Sequence, residues 1–99
     1  MHKIFSMQKQ IEDAIRQSLK NVHLLKVKNK SQDHFGHTGY SKDSHFEILL
    51  VTEDFTCKSR LDRHRLVLKI LKDIVSKTHS LSFNLLTVKE YQKTINEDK

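Results

Sequence analysis

The stretch from Ser44 to His79, SHFEILLVTEDFTCKSRLDRHRLVLKILKDIVSKTH, decides the fold of this 99-residue chain. It opens with a segment in which alternate residues are apolar, His45 to Thr52, and this alternation predicts a β-strand. Leu49 and Val51 make the outward side of the strand apolar as well. A strand with two apolar faces is typical of the centre of a sheet.

A polar connection and a helix follow this strand. Phe55 is predicted to turn inward within the connection, Glu53 to Lys58, and Ser59-Arg60-Leu61-Asp62 has the Ser-x-x-acid form of a helix start. One long helix is predicted from Leu61 to Val75. Its buried stripe is predicted to consist of Leu61, Leu68, Leu71 and Val75, widened by Leu66, Val67, Ile70 and Ile74.

The flanking segments complete a small α/β (α+β) domain. Apolar spacing predicts a helix from Met7 to Lys20 and a strand from Val22 to Val27, while Leu81 to Leu86 alternates as a half-buried strand. Thr87-Val88-Lys89-Glu90 is a capping box before a last helix through Ile95. The order αββαβα predicts a two-layer sandwich with a three-stranded mixed sheet, in which the strands flanking the long helix are parallel.

The composition predicts one domain over residues 1–99, with an ordered core of about residues 6–95. The net charge is +6, and Ser59 to Thr78 contains six basic and two acidic residues, which favours an anionic partner. The single cysteine, Cys57, excludes an internal disulfide, and no segment approaches the length of a membrane span. We therefore expect a cytoplasmic protein without a membrane partner.

A long polar segment, Lys28 to Asp43, separates the first two strands. It contains both glycines, in Gly36-His37-Thr38-Gly39, which matches the GxxG motif of nucleic-acid-binding KH domains. That motif normally joins two helices, whereas this one is predicted to join two strands. Long loops in compact domains are often functional, so His34 and His37 are candidates as well as ordinary solvated residues.

Several short motifs in order resemble the BolA family. They are Ser44-His45-Phe46, Phe55, Arg63-His64-Arg65, His79-Ser80-Leu81 and Thr87-x-Lys89-Glu90-Tyr91, and the resemblance covers roughly Ile11 to Tyr91. It implies a class II KH-like fold, in agreement with the order of the elements. The chain departs from the family in having no proline in the loop, and in having Thr56-Cys57 where many relatives carry glycine after the phenylalanine.

The resemblance implies an adaptor and not an enzyme. BolA-like proteins pair with monothiol glutaredoxins of the CGFS type and share a glutathione-ligated [2Fe-2S] cluster, in iron-sulfur trafficking or iron and redox regulation. The family's ligand before the last strand corresponds to His79, and the ligand from the first loop corresponds to His34, with His37 as the alternative. We expect the isolated chain to hold no cluster and to be a monomer or weak dimer. Some bacterial members are DNA-binding regulators of stress response and morphology, which is the alternative function.

The remaining candidates have both functional and purely structural interpretations. His79 is also typical of a helix C-terminus, where it interacts with the helix dipole. Cys57 is a further candidate ligand or redox sensor, or a small buried apolar residue. His64 is predicted to be structural. A surface for a partner or nucleic acid is predicted from the basic residues of the long helix, which otherwise form its solvated side: Arg60, Arg63, Arg65, Lys69 and Lys72.

Overall fold

The computed structural model describes residues 6–30, 45–78 and 80–97. The elements in chain order are α1 (Met7–Ser18), β1 (Val22–Asn29), β2 (His45–Thr52), a 3-10 turn (Glu53–Phe55), α2 (Arg60–Ile70), α3 (Lys72–Val75), β3 (Ser80–Leu86) and α4 (Val88–Glu97). The mixed α+β fold predicted from the sequence is confirmed. None of the helices in these ranges has the length and apolar character needed to cross a bilayer.

The sheet has the order β1-β2-β3, with β2 in the centre. β1 pairs antiparallel with β2, and β2 pairs parallel with β3 through the helical crossover. In the parallel pair His45 lies opposite Ser80, and Leu50 lies opposite Leu85. The predicted mixed three-stranded sheet and its central strand are therefore confirmed.

The main core lies between one face of the sheet and the helices α1, α2 and α3. It includes side chains from every layer: Ile11 and Ile15 of α1, Phe46, Ile48 and Leu50 of β2, Phe55, Val67, Leu71 and Ile74. Phe55 is completely buried, as the sequence predicts. Ser6 caps α1 through the Lys9 N–H, which donates to its side-chain oxygen at 3.2 Å.

α4 covers one end of the second face of the sheet. Leu24, Val51 and Leu86 point away from the main core because neighbours in a strand face opposite sides. Val51 is nevertheless fully buried, α4 contacts both β2 and β3, and the Tyr91 ring lies 6.4 Å from that of His23. The apolar residues on both sides of β2 are thus explained by a helix on each face.

The long helix predicted from Leu61 to Val75 is instead two helices. Leu71 has φ −97° and ψ 17°, outside ideal helical values, and separates α2 from α3. Neither glycine nor proline marks this break in the sequence. The Leu71 side chain remains fully buried, so the break redirects the chain without leaving the core.

The apolar stripe predicted for the long helix is wrong for two of its members, Leu61 and Leu68, whereas the other six lie in or against the core: Leu66, Val67, Ile70, Leu71, Ile74 and Val75. The inward face of α2 and α3 carries Arg63, Val67, Leu71 and Ile74, all buried. Leu61 is 57% exposed. The helix has this orientation because Arg63 takes an inward position, which directs Leu61 to the solvent side.

Candidate functional site

The parallel pairing of β2 and β3 brings the beginnings of these two strands together at one edge of the sheet. His45 and Ser80, their first residues, are partners in the register. The end of β1 reaches the same edge, because the Lys30 N–H donates to the His45 carbonyl oxygen at 2.8 Å. This edge, defined by Lys30, His45 and Ser80, is called the ligand edge below.

The predicted ligands flank the ligand edge in the chain. His79 immediately precedes Ser80, and His34 and His37 belong to the segment between Lys30 and His45. All three histidines, and the GxxG motif, lie outside the described residues. The described part of the chain nevertheless brings together the attachment points of both segments, which are far apart in sequence.

His45 is a residue at this edge that the sequence analysis did not single out. It is half-buried and faces the side of the sheet opposite Phe46. Alternation within the strand indicated only that it points outward. Its position beside Ser80 follows from the parallel pairing, so the predicted crossover combined with the Ser-His-Phe motif was the signal that could have found it.

Cys57 lies at the opposite edge of the sheet. It follows the end of β2 in the turn before α2, and seven strand steps of about 3.3 Å separate that end from His45. The residue is exposed, so its interpretation as a small buried apolar residue is wrong. The structure does not bring Cys57 together with the ligand edge.

The backbone of Cys57 has a left-handed conformation, with φ 65°. This region is unfavourable for residues with a Cβ atom and is readily adopted by glycine. The cysteine therefore occupies a position whose backbone conformation favours glycine.

The predicted basic surface is present on α2 and α3, without one of its members. Arg60, Arg65, Lys69 and Lys72 are exposed. Arg63, in contrast, is only 6% exposed, so including it in a partner surface was wrong. Its guanidinium is occupied inside the protein.

Arg63 joins three parts of the fold through its guanidinium. Nε donates to the Lys58 carbonyl oxygen at 3.0 Å, and Nη1 donates to the Leu85 carbonyl oxygen at 3.1 Å. Nη1 and Nη2 also donate to the two carboxylate oxygens of Glu90, at 2.7 and 3.2 Å. The guanidinium carbon lies 5.7 Å from the centre of the Phe55 ring. These contacts connect the start of α2, the end of β3 and the start of α4.

Glu90 belongs both to this ion pair and to the cap of α4. Its carboxylate accepts from the Thr87 N–H at 2.9 Å, while the Glu90 N–H donates to the Thr87 hydroxyl at 3.2 Å. The predicted capping box is therefore confirmed. The Arg63 hydrogen bonds, together with the Thr87 N–H, lower the pKa of Glu90 from its ordinary value of 4.5 to about 2, against the opposing effect of burial.

His64 makes a contact expected of a structural residue. Its ring meets the ring of Phe83 on β3 edge to face, with centroids 5.0 Å apart and an interplanar angle of 89°. The residue as a whole is exposed, so only one side of the imidazole is packed. Within the described residues, no group of three or more histidine, cysteine, aspartate or glutamate side chains is arranged to hold a metal.

Comparison with known proteins identifies the family. The family model for BolA-like proteins matches residues 8–90. The DNA-binding transcriptional regulator BolA of Escherichia coli is 32% identical over 87 residues, which cover 87% of this chain and 80% of that protein.

Solved structures agree with this match. The BolA domain of SufE1 from Arabidopsis thaliana has a TM-score of 0.75 at 29% identity, covering 89% of this chain and 99% of that one. BolA1 from the same plant has a TM-score of 0.76 at 23% identity, covering 88% and 98%, and supports the fold. The chain belongs to the BolA family.

Proposed function

We propose that this protein is an adaptor that binds a monothiol glutaredoxin of the CGFS type and shares with it a glutathione-ligated [2Fe-2S] cluster. The cluster is cargo in this proposal, and the chain has no catalytic role. The observation that carries the proposal is the ligand edge. The candidate imidazole ligands belong to residues 31–44 and to position 79. The residues that flank these positions meet at the ligand edge, through the hydrogen bond from Lys30 to His45 and the pairing of His45 with Ser80.

The chemistry of the donor set supports a shared cluster. Imidazole nitrogen ligates one iron of the [2Fe-2S] cluster in Rieske-type centres, so His79 with His34, or His37 in its place, is a suitable pair. Iron-sulfur clusters otherwise require thiolates, and the only cysteine of this chain lies at the opposite edge of the sheet. The remaining ligands must therefore come from the glutaredoxin thiolate and from glutathione.

Imidazole ligands make the proposed complex sensitive to acid. A histidine binds metal in its neutral form, so protonation competes with iron as the pH falls. A cluster held partly by His79 should therefore become less stable as the pH falls. In this proposal, conditions that protonate the histidine ligand would favour transfer of the cluster, and conditions that keep it neutral would favour retention.

The test is reconstitution of the complex with purified monothiol glutaredoxin, iron, sulfide and glutathione, followed by visible circular dichroism. Addition of the wild-type chain should change the spectrum of the glutaredoxin cluster, and His79→Ala should abolish that change. His34→Ala and His37→Ala, compared separately, identify the loop ligand. His23→Ala is the matched control, because His23 is an exposed histidine on β1 near the opposite edge of the sheet.

Two results would reject this assignment. A spectrum that is the same with His79→Ala as with the wild-type chain would exclude His79 as a ligand. An equal effect of His23→Ala would show that the spectrum responds to loss of any histidine. Pull-down of the glutaredoxin by this chain, with and without glutathione, tests binding between the two proteins separately from the assignment of the ligands.

A second candidate function is nucleic-acid binding. It is supported by the name of the Escherichia coli relative, a DNA-binding transcriptional regulator, and by the exposed basic residues on α2 and α3. Labelled DNA should then bind at near-physiological salt and prefer one sequence. Weak binding that disappears as salt is raised would indicate only attraction between opposite charges.

A further inference from the structure

The outer face of α2 carries one exposed and one half-buried leucine that the core cluster does not include. Leu61 is 57% exposed, and Leu68, seven residues later, is half-buried. Residues at this spacing lie on the same side of a helix, two turns apart. Within the described residues neither leucine packs against the core cluster, unlike Leu66 and Ile70 of the same helix.

Basic side chains surround these leucines. Arg65 lies between them on the same side of α2, at spacings of four and three residues, and Lys69 follows Arg65 by one turn. Both basic side chains are exposed. Asp62 is the single acidic residue of α2, so this face combines an apolar centre with a net positive border.

This combination suits a protein helix better than nucleic acid. Single-stranded nucleic acid is bound by stacking bases on aromatic side chains, and α2 contains no phenylalanine, tyrosine or tryptophan. Leucines at the centre of a surface gain free energy only when an apolar partner removes them from water. An amphipathic helix supplies apolar residues at the same spacing, and acidic residues beside them would meet Arg65 and Lys69.

The Leu61 end of this face lies away from the ligand edge. The start of α2 is fixed to the ends of β2 and β3, because Arg63 donates to the Leu85 carbonyl oxygen. Five strand steps of about 3.3 Å separate Leu85 from Ser80, so roughly 16 Å lie between these two residues of β3. Leu61 therefore lies at the end of the sheet opposite the ligand edge.

We propose that the outer face of α2, centred on Leu61 and Leu68, is a docking surface for an acidic amphipathic helix of a partner protein. The proposal holds whether or not the chain carries a cluster. An adaptor with two such surfaces could hold a cluster carrier at one edge and a recipient or regulator on α2. A contact limited to one helix buries less than a standard interface, so we expect a reversible complex with Kd of order 10 μM.

The test uses a designed peptide held in a helix by a hydrocarbon staple. It carries leucines on one face and glutamates on both borders, and its control has the same composition with the leucines distributed around the helix. Binding to the full chain is measured by fluorescence anisotropy. We expect the control peptide to bind at least about fivefold more weakly, because its leucines cannot meet both Leu61 and Leu68.

Variants of the protein distinguish specific binding at this surface from nonspecific binding of the peptide. Leu61→Ser should weaken binding at least about fivefold, and Arg65→Glu should weaken it and reduce its salt dependence. Ile95→Ala and Lys93→Glu are the matched controls, because Ile95 is 42% exposed and both residues lie on α4. These two variants should bind the peptide as the wild-type chain does, and so should His79→Ala.

The proposal is overturned if the amphipathic peptide does not bind, if both peptides bind equally, or if Leu61→Ser has no effect. It is also overturned if a short duplex DNA binds more tightly than the peptide and depends on Arg65 but not on Leu61, since that result assigns the face to nucleic acid. Amide chemical shifts provide a second measurement. Peptide binding should shift residues of α2 and leave those around His45 unchanged.

Discussion

Replacing Arg63 with methionine should destabilise the protein strongly. Arg63 lies in the most basic segment of the chain, but its side chain is buried and not part of the basic surface. Methionine keeps much of the length and apolar volume of the side chain but removes every donor. The Lys58 and Leu85 carbonyl oxygens and the Glu90 carboxylate would lose their guanidinium partner. The change therefore tests whether Arg63 stabilises the fold or belongs to a surface.

The expected magnitude follows from the burial of the two charged partners. Breaking a buried ion pair by removing one member costs about 3 to 5 kcal/mol. Here the arginine side chain is 7% exposed but that of Glu90 is 38% exposed, so water can partly solvate the remaining carboxylate. We therefore expect Arg63→Met to lower the free energy of unfolding by about 2 to 4 kcal/mol.

Urea unfolding at neutral pH measures this loss through the transition midpoint and slope. Lys9→Met is the matched control, because Lys9 pairs with Asp13 at 3.3 Å on the surface, with side chains 52% and 39% exposed. That pair should contribute no more than about 0.5 kcal/mol. An Arg63→Met variant within about 0.5 kcal/mol of the wild type would refute the structural role assigned to Arg63.

The dependence of the free energy of unfolding on pH, measured from neutral to acidic pH, tests the same ion pair independently. The folded-state pKa of Glu90, about 2, is lower than its ordinary value of 4.5, so the ionised form stabilises the folded state. This stabilisation is complete above pH 4.5 and is lost as the pH falls towards 2. Because Glu90 is 38% exposed, we discount the contribution for solvent screening to about 1 to 2 kcal/mol.

Glu90→Gln provides the comparison for this effect. The difference in stability between wild type and Glu90→Gln should be constant near neutral pH and should shrink as the pH falls below 4.5. A double-mutant cycle with Arg63→Met isolates the interaction between the two side chains. If the difference in stability between the two proteins stays the same as the pH falls below 4.5, the Glu90 charge does not contribute to stability.

Three further substitutions test local features by urea unfolding. Cys57→Gly should be more stable than Cys57→Ala by about 1 kcal/mol, because φ at this position is 65° and glycine tolerates it; the reverse order would contradict the strained turn. Thr87→Ala should lose about 1 kcal/mol by removing the hydroxyl that caps α4, and an unchanged midpoint would mean that the cap contributes nothing. Asp54→Ala should lose about 1 to 2 kcal/mol, because its carboxylate accepts from the Thr52 hydroxyl at 2.7 Å and the Asn21 N–H at 3.3 Å; Asp54→Asn should recover part of the loss if hydrogen bonding is the cause.

The strands and helix starts were predictable because their signals are local. His45–Thr52 is the strand that the alternation predicts, and Ser59 and Thr87 cap their helices as their motifs indicate. These features depend on residues within three or four positions of one another. The parallel pairing of β2 with β3 then followed because a helical crossover returns the chain to the same end of the sheet.

The exposure of Leu61 and the burial of Arg63 could not be predicted from the same signals. A pattern of apolar residues places leucines inward and an arginine outward, whereas α2 exposes Leu61 and buries Arg63. The reason lies 27 residues further along the chain, where Glu90 receives the guanidinium. Only the tertiary structure brings these two residues together, so no window of sequence around α2 contains the information.

The candidate ligand residues and their position in the fold were predictable to different extents. The sequence motifs indicated His79 and the loop histidines through resemblance to a family, and their ligand roles stay predictions. The meeting of their chain segments follows from the paired positions of His45 and Ser80. Cys57 was considered as an alternative ligand because a sequence does not show that a thiol lies at the far end of the central strand.

The hydrogen bond between Lys30 and His45 has a consequence for how this family can diversify. It closes the segment of residues 31–44 at its base, so the register of the sheet is fixed by residues outside that segment. The entropy of closing a loop rises slowly with length, and doubling the number of residues costs only about 0.6 kcal/mol. Segments of different length and composition can therefore be exchanged here, by evolution or by grafting, without redesign of the core. The fold thus separates the residues that set the register of the sheet from the segment of residues 31–44.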